Sequence, residues 1–252
     1  MQLQGKVAII TGAGTGLGKS VAELFLREGA SVATIGRRPE KLQEAANEIR
    51  ATDRNWLAVQ GDISKPEDIK ALVSRTIGKF GGVDIIVNNA GIHTKPYLTH
   101  DCPIEVFDAF INTNLRGPFL LVKEAVPSML QRGGGSIVNV SSIVGYVGVK
   151  YCVAYGTAKG GMINMTRTIA MDYADKGIRV NCIVPSGMYP TENTLLFTEE
   201  DRRMMAEAIP RSPTGKPSRT EDVAQLVLLL VGPYGENITG AIIPHDGGYT
   251  AR

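Results

Sequence analysis

Short apolar runs typical of strands alternate with helical patterns along almost the whole chain of 252 residues. This alternation restricts the fold more than any other feature, because consecutive strand–helix units assemble into a parallel sheet with helices on both faces. We therefore expect an α/β fold with a doubly wound parallel sheet, in a single domain spanning residues 1–252. Strands are predicted at residues 6–11, 31–35, 56–60, 83–87, 136–140, 178–184 and 241–244.

Helices are predicted in the intervals between these strands. The longest helical pattern covers residues 103–131. Asn114 lies within it, and Gly117 and Pro118 follow Asn114. Proline has no backbone N–H to donate, so the helix should bend there. The first predicted helix ends near residue 28, and a long one starts near Tyr155. The others cover residues 39–50, 65–80, 198–208 and 221–231.

A glycine-rich turn connects the first predicted strand to the first predicted helix. Glycines let the backbone approach a pyrophosphate, and the amino end of a helix offers N–H groups and a positive dipole to phosphates. An ordinary tight turn is the alternative, but the position between a first strand and a first helix favours a dinucleotide site. The predicted cofactor contacts in this turn are Gly12, Thr15, Gly16, Leu17 and Gly18.

Arg37 and Arg38 follow the second predicted strand, where a carboxylate would hold the adenosine ribose hydroxyls of NAD. Guanidinium groups bind phosphate through two parallel hydrogen bonds. The pair therefore predicts a site for the 2′-phosphate of NADP. The alternative is a solvated basic start to the next helix, since charged pairs commonly face water.

Small and polar residues follow the third and fourth predicted strands. Ligands of open α/β sheets bind outside the carboxyl ends of the strands, so these residues are candidate cofactor contacts. Asp62 is placed either to accept a hydrogen bond from an adenine amino group or to cap the following turn. The candidates are Asp62, Ile63, Asn89, Ala90 and Gly91.

Tyr155 and Lys159 are the main catalytic candidates. A spacing of four residues places both side chains on one face of a helix. A close ammonium group favours the phenolate, so we expect a lowered tyrosine pKa and proton exchange near neutral pH. Ser142, at the end of the fifth predicted strand, is placed to hold a substrate oxygen.

The Tyr-x-x-x-Lys pattern alone is weak, because short motifs have a high false-positive rate. A second pair, Tyr146 and Lys150, occurs in the same region. Gly145 and Gly148 interrupt that segment, so we interpret it as a loop. In a loop, a spacing of four residues does not bring the two side chains to the same face. Without the glycine-rich turn, Tyr155 would equally be a half-buried structural tyrosine.

Residues 186–217 form the longest irregular segment, with one short helix predicted inside it. Irregular segments of this length within a compact domain are usually functional. Leu195, Leu196, Phe197, Met204 and Met205 give it an apolar side, so we predict a lid over the substrate. The alternative is a variable surface excursion.

Composition excludes several classes of function. The 27 Lys and Arg residues nearly balance the 25 Asp and Glu residues, so overall charge does not draw the chain to nucleic acid or to a membrane. Cys102, Cys152 and Cys182 form no closely spaced pair, and each is expected to be a small core residue. The histidines lack metal-binding spacing, so no metal site is predicted. His93 is either a substrate contact or a hydrogen-bonded loop residue.

No charged-then-apolar leader precedes the first strand, and the longest apolar run, residues 226–231, is too short to span a bilayer. The widely spaced cysteines fit a reducing compartment. We expect a soluble, cytoplasmic protein that acts on a small molecule.

Together these motifs resemble the short-chain dehydrogenase/reductase family in its compact, single-domain branch. The resemblance covers residues 5–249 and implies a Rossmann-type sheet in the order 3-2-1-4-5-6-7. It also implies hydride transfer between a nicotinamide and a carbonyl or alcohol carbon, and a homotetramer or homodimer. The matching residues are Thr11-Gly12-x-x-x-Gly16-x-Gly18, Asn88-Asn89-Ala90-Gly91, Asn114, Ser142, Tyr155-x-x-x-Lys159 and Asp246-Gly247-Gly248.

The resemblance implies a role for each catalytic candidate. Tyr155 would be the general acid/base, and Ser142 would orient and polarise the substrate oxygen. Lys159 would hold the nicotinamide ribose and lower the pKa of the tyrosine. Asn114 would position a water that links Lys159 to solvent.

One motif departs from the family pattern, which has Pro-Gly after the sixth strand. This chain has Pro185-Ser186-Gly187. If the position requires a positive φ, Ser186 is strained and the turn shifts onto Gly187. Pro185, Gly187 and Met188 are predicted to contact the nicotinamide end of the cofactor.

The leading hypothesis is an NADP(H)-dependent enzyme that reduces a ketone, or oxidises a secondary alcohol, on a partly apolar substrate. His93, Ser142, Tyr155 and Tyr189 are the predicted substrate contacts. One alternative is an NAD-dependent dehydrogenase of a sugar, polyol or alcohol. Another is a non-catalytic nucleotide-sensing protein, against which the complete catalytic set argues.

Overall fold

The computed structural model describes residues 1–93, 96–188, 198–208 and 212–251. Its centre is a parallel seven-stranded sheet in the order β3-β2-β1-β4-β5-β6-β7. This confirms the α/β class, the Rossmann-type architecture and the strand order. The strands are β1 (Val7–Thr11), β2 (Ser31–Gly36), β3 (Trp56–Gln60), β4 (Ile85–Asn88), β5 (Gly135–Val140), β6 (Ile178–Pro185) and β7 (Ile242–His245).

Helices cover both faces of the sheet and bury two main apolar clusters. Successive strand residues point to opposite faces, so Ala8 and Ile10 enter one cluster and Ile9 enters the other. α1 and α9 pack together over the first face, and α3 packs beside α5 over the second. The described helices are α1 (Gly16–Arg27), α2 (Pro39–Glu48), α3 (Pro66–Phe80), α4 (Ile104–Ile111), α5 (Gly117–Gln131), α6 (Ile143–Tyr146), α7 (Val153–Tyr173), α8 (Glu199–Ala208) and α9 (Thr220–Val231).

The winding direction of the sheet reverses between β1 and β4. β1 pairs with β2 on one side, with Val7 opposite Ser31, and with β4 on the other, with Ala8 opposite Ile85. The connections after these two strands therefore leave in opposite directions and open a crevice at the carboxyl edge. This crevice places the turns after β1 and β4 next to each other.

The structure corrects the predicted course of the long helix between residues 103 and 131. α4 ends at Ile111, a wide π-helical turn covers Asn112–Arg116, and α5 begins at Gly117. The interruption is a widened turn before Pro118 and not only a bend, which agrees with the loss of the proline N–H as a donor. Asn114 lies inside this turn.

One further prediction about local structure was wrong. The second predicted helix ends at Glu48, because Arg50 adopts the left-handed conformation with φ of 53° and terminates it. The segment between Tyr146 and Lys150 is loop, as predicted, since residues 147–150 lie outside any helix. One helical turn, Ile143–Tyr146, precedes this loop, and the Ser142 hydroxyl caps it by accepting a hydrogen bond from the Val144 N–H.

None of the described helices is long and apolar enough to cross a membrane. The helix predicted at residues 198–208 is present as α8. The predicted contact Tyr189 and the lid residues Leu195, Leu196 and Phe197 lie outside the described residues, as does the side chain of Met205. The single-domain organisation stays a prediction.

Candidate active site

A cavity of about 750 Å³ opens at the carboxyl edge of the sheet. It contains most of the residues predicted for the cofactor, the reaction and the substrate. Gly18 and Asn114 lie behind its wall. The predicted residues that line it are Gly12, Thr15, Gly16, Leu17, Arg37, Arg38, Asp62, Ile63, Asn89, Ala90, Gly91, His93, Ser142, Tyr155, Lys159, Pro185, Gly187 and Met188.

The glycine-rich turn has the close approaches that a dinucleotide requires. Gly12 has φ of 72°, and a Cβ there would lie 3.1 Å from the Cα of Ala90. A Cβ on Gly18 would overlap the carbonyl oxygen of Gly12. No side chain caps the amino end of α1, and its first turn contains no acidic residue. The turn therefore fits a pyrophosphate, which needs close backbone approach and exposed N–H groups.

Thr11 connects the two turns that meet at the crevice. Its hydroxyl accepts hydrogen bonds from the backbone N–H groups of Asn89, at 3.0 Å, and Ala90, at 2.9 Å. The Asn89 amide donates in return to the carbonyl oxygen of Thr11, at 2.9 Å. Asn89 thus has a structural contact of its own besides facing the cavity.

Three cations occupy the corner of the cavity beyond β2. Arg37 and Arg38 are exposed at the rim, and Lys41 lies in the first turn of α2. A Cβ on Gly14 would lie 3.3 Å from the Cβ of Lys41, so this corner adjoins the glycine-rich turn. Sequence reasoning missed Lys41, whose ammonium group also pairs with Glu44 at 2.7 Å.

Asp62 caps the turn that follows β3. Its Oδ1 accepts hydrogen bonds from the Ser64 N–H, at 2.9 Å, and from the Ser64 hydroxyl, at 2.8 Å. The capping alternative is therefore present in the structure. Asp62 also lines the cavity, so capping and a cofactor contact are compatible.

The Ser142 hydroxyl lies close enough to the Tyr155 hydroxyl to lower the pKa of the phenol. Ser142 lies directly after β5, whereas Tyr155 is in the first turn of α7. Ser141 joins these two elements, because its hydroxyl donates to the carbonyl oxygen of Lys159 at 2.9 Å. The predicted pair of hydroxyls is thus assembled from two elements held together by backbone contacts.

Lys159 lies one helical turn after Tyr155 and is 3 % exposed. Its ammonium group donates to the carbonyl oxygen of Val140 at 2.7 Å. It lies 5.8 Å from the centroid of the Tyr155 ring. Burial lowers the pKa of Lys159 to about 8, because removal from water disfavours the charged form.

The expectation of a lowered tyrosine pKa was wrong for the protein without ligands. Burial raises the pKa of Tyr155 above its ordinary value, and the nearby Ser142 hydroxyl only partly offsets this. Because desolvation is the largest effect, the phenol stays protonated at neutral pH. A protonated phenol is a proton donor.

His93 lies against Tyr155. The two ring centroids are 4.4 Å apart. Desolvation by the surrounding protein lowers the pKa of His93, and the charge of Lys159 lowers it further. The side chain is exposed and lines the cavity. The substrate contact predicted for His93 stays a prediction.

Asn114 acts on the loop that follows β4. Its Oδ1 accepts from the Ile92 N–H at 2.8 Å, and its Nδ2 donates to the Ile92 carbonyl at 3.1 Å. The side chain is fully buried. The oxygen and the nitrogen of this side-chain amide are therefore both hydrogen-bonded to the backbone of Ile92, which lies between Gly91 and His93.

Sequence reasoning missed a buried polar chain beneath the catalytic helix. The Asn88 amide donates to Asn139 at 2.8 Å, and the Asn139 amide donates to the hydroxyl of Thr166 at 2.9 Å. These contacts link β4, β5 and α7. A polar residue in the middle of an apolar strand, such as Asn139, was the signal available.

Several apolar residues line the cavity, among them Val106, Phe110 and Val153. The Phe110 ring lies 5.9 Å from the Tyr155 ring. Cys102 and Cys152 also line the cavity, so the expectation of three core cysteines holds only for Cys182. No cluster of metal-binding side chains occurs among the residues that the structure describes.

Ser186 is not strained. Neither Ser186 nor Gly187 has a positive φ, so the turn does not shift as the departure from the family pattern suggested. The Ser186 N–H donates to the His245 carbonyl at 3.1 Å. β6 thus continues its contact with β7 into this residue.

The fold and the cavity define a class: a Rossmann-type α/β protein with a dinucleotide-sized cleft and a serine–tyrosine–lysine group inside it. The model of the short chain dehydrogenase family matches residues 6–201. The chain therefore belongs to the short-chain dehydrogenase family, and it is an oxidoreductase that acts on CH–OH groups.

Relatives and solved structures match along nearly the whole chain. A cyclohexanol dehydrogenase of Acinetobacter sp. is 37% identical over 98% of this chain and 96% of its own. A 3-oxoacyl-[acyl-carrier-protein] reductase of Thermotoga maritima is 38% identical over 98% and 99%. The crystal structure of levodione reductase superposes with a TM-score of 0.92, at 30% identity and 99% coverage of both chains.

Proposed function

We propose that this oxidoreductase uses NADP(H) and interconverts a ketone and a secondary alcohol, with Asn114, Ser142, Tyr155 and Lys159 as its working set. When bound, the nicotinamide supplies or accepts the hydride. The observation that carries the cofactor preference is the trio of cations, Arg37, Arg38 and Lys41, at the end of β2.

Tyr155 exchanges the proton of the reaction. In the direction of reduction, its hydroxyl donates a proton to the substrate oxygen as that oxygen gains charge. The raised pKa supports this direction, because the phenol is protonated at neutral pH. Ser142, whose hydroxyl lies beside the same phenol, holds the substrate oxygen in line.

Lys159 supplies positive charge beside the tyrosine, since a pKa of about 8 leaves it mostly protonated at neutral pH. Asn114 supports this group in two ways. Its amide holds Ile92 in place, and Pro118 lacks the N–H that would bond the Asn114 carbonyl in an α-helix. That carbonyl is the acceptor available for a water leading to Lys159.

The cofactor proposal is tested by fluorescence titration with NADPH and NADH, on the wild type and on Arg37→Ala. We expect NADPH to bind at least about tenfold more tightly, and the variant to lose this difference while NADH binding is unchanged. Arg54→Ala is the matched control, because Arg54 is equally exposed and does not line the cavity. Equal binding of NADH by the wild type would show that Arg37 is a solvated charge.

The catalytic proposal is tested with Tyr155→Phe, which removes only the hydroxyl. We expect kcat to fall at least about 100-fold with little change in NADPH affinity, because proton transfer contributes this much. Tyr146→Phe is the control, since Tyr146 belongs to the other Tyr-x-x-x-Lys pair and is 44% exposed. Undiminished turnover by Tyr155→Phe would remove the tyrosine from the mechanism.

The substrate search should begin with cyclic ketones. The apolar residues that line the cavity favour a hydrocarbon ring, and the cyclohexanol dehydrogenase and levodione reductase are named for cyclic compounds. A relative named glucose 1-dehydrogenase 2, 36% identical, makes sugars the second set to test. Turnover of sugars with NAD and not of ketones would favour the alternative function.

A further inference from the structure

A chain of three polar side chains begins at Ser186, which lines the cavity next to Gly187 and Met188, and leads away from the cavity. The hydroxyls of Ser186 and Ser218 are 3.0 Å apart, and the Ser218 hydroxyl is 3.1 Å from Nδ1 of His245. The same hydroxyl lies 2.7 Å from the His245 carbonyl oxygen. The three residues come from the end of β6, the segment before α9 and the end of β7.

The directions of these hydrogen bonds follow from counting donors. A carbonyl oxygen only accepts, so the single proton of the Ser218 hydroxyl goes to His245 O. Ser218 Oγ must then accept from both other partners. The Ser186 hydroxyl therefore donates to Ser218, and Nδ1 of His245 carries a proton and donates to it as well.

The result is a saturated junction at Ser218, which is 8% exposed. Its hydroxyl makes one donated and two accepted hydrogen bonds, the full capacity of the group. Nδ1 carries its proton in both the neutral tautomer and the charged form of the imidazole. Protonation of His245 at its other nitrogen therefore leaves the junction intact.

The junction fixes the backbone that enters the cavity. Ser186 immediately precedes Gly187 and Met188, which line the cavity. Its N–H is held by His245 O, and its hydroxyl is held by Ser218. Ser186 is thereby tied to residues 32 and 59 positions away in the chain.

We propose that Ser186, Ser218 and His245 are positioning residues that hold Gly187 and Met188 against the nicotinamide half of the cofactor. The proposal rests on the proposed function, because it requires a dinucleotide in the cleft. None of the three touches the reacting atoms. Their effect is confined to the half of the cofactor that their backbone contacts.

The experiment compares the binding of NADPH with the binding of 2′,5′-ADP, a fragment without the nicotinamide half. Ser186→Ala should raise the Kd of NADPH about fivefold, the effect of one ordinary hydrogen bond, and leave that of 2′,5′-ADP within about twofold. A general loss of structure would weaken both ligands. Ser212→Ala is the control, because Ser212 lies in the same segment and bonds Lys216 instead.

The role of Nδ1 is tested separately. His245→Leu removes the donor and should reproduce the fivefold loss, whereas His245→Asn places an amide N–H at the same point of the side chain and should restore tight NADPH binding. If Ser186→Ala and His245→Leu bind NADPH as the wild type does, or weaken both ligands equally, the proposal is wrong. If the wild type itself binds no NADPH, the proposed function fails first.

Discussion

Lys159 is a buried ammonium group whose charge the fold disfavours. Its pKa of about 8 is below its ordinary value of 10.5 because burial removes water from it. The unfolded chain therefore retains this proton at pH values at which the folded chain has lost it. The charge proposed to assist catalysis therefore reduces the stability of the protein below pH 8.

We expect this group to make stability increase with pH between about 8 and 10. In that window the unfolded state binds more protons, so the free energy of unfolding rises by up to about 1.4 kcal/mol per pH unit. Above pH 9 the raised pKa values of the Cys152 and Cys182 thiols act in the opposite direction, and above pH 10 that of Tyr155 does as well. The contribution of Lys159 is therefore the difference in slope between the wild type and a variant without this lysine. Denaturant unfolding at pH 8 and pH 9.5 measures the slope.

Lys159→Met should abolish this contribution, since methionine has no proton to lose. Lys150→Met replaces an exposed lysine and should retain the wild-type slope. An identical slope in Lys159→Met and the wild type would show that Lys159 titrates alike in the folded and unfolded chains.

At the scale of the element, the end of α2 shows how one residue sets a boundary. The Ala51 N–H donates to the Ala46 carbonyl, at 2.9 Å, and the Arg50 N–H donates to the Asn47 carbonyl, at 3.2 Å. These two hydrogen bonds form a Schellman motif, in which the residue after the helix cap adopts the left-handed conformation. Arg50 takes that conformation although it has a Cβ.

Arg50→Gly should stabilise the protein by about 0.5–1 kcal/mol, because glycine has no steric penalty at positive φ. Thermal or denaturant unfolding measures the gain. Arg54→Gly is the matched change at an exposed arginine without positive φ, and it should give no gain. Lower stability of Arg50→Gly would mean that the arginine side chain stabilises the helix end by more than the strain costs.

The sequence predicted the elements well because strands and helices leave local patterns. β1 to β7 follow apolar runs, and the glycine-rich turn lies where the alternation places it. The π-helical turn at Asn112–Arg116 was missed, because proline indicates an interruption but not its geometry. The boundary at Arg50 was missed because nothing in its residue type requires a positive φ.

The residues of the candidate site could be predicted where a short sequence motif contains them, and not where their partners are distant in sequence. Tyr155 and Lys159 are close in sequence, so their spacing alone indicated a shared face. Ser218 and His245 gave no such signal, because their partners are distant in sequence and only the fold brings them together. The raised pKa of Tyr155 was likewise unpredictable, since it depends on burial and not on spacing.

At the scale of the whole molecule, the two ends of the strands have different roles. The cavity lies at the carboxyl ends of the strands, and an ion pair between buried Asp84 and exposed Arg132 lies at the other end. Arg132 Nε and Nη2 donate to the two oxygens of Asp84 at 2.8 and 3.0 Å. Asp84 also accepts from the Val7 N–H at 2.8 Å, so it joins β1 to the approach to β5.

Arg132→Met should lower the free energy of unfolding by about 2 kcal/mol, because it leaves a buried carboxylate without its charged partner. NADPH affinity and turnover should not change, since the pair lies at the opposite end of the strands from the cavity. Lys176→Met, which breaks an exposed pair with Asp175, should cost less than about 0.5 kcal/mol. A loss of cofactor affinity in Arg132→Met would contradict this separation of the two ends.

Large apolar side chains remain on the surface of the chain. Met171 is 81% exposed, Tyr234 79% and Ile104 63%. The family resemblance implies a homotetramer or homodimer, so we expect a particle of two or four times 27.0 kDa by light scattering. Tyr234→Glu should shift the distribution to smaller particles. A wild-type mass of one chain would contradict the expectation.

The pairing of β7 with β6 has a consequence for synthesis on the ribosome. The glycine-rich turn and Tyr155 emerge long before the strand that supports Ser186, because β7 begins only at Ile242. A growing chain can therefore form the glycine-rich turn while the contacts that support Ser186 are still missing. Contacts so distant in sequence form late. We therefore expect the turn proposed to bind phosphate to form in the nascent protein before the support of the segment proposed to contact the nicotinamide.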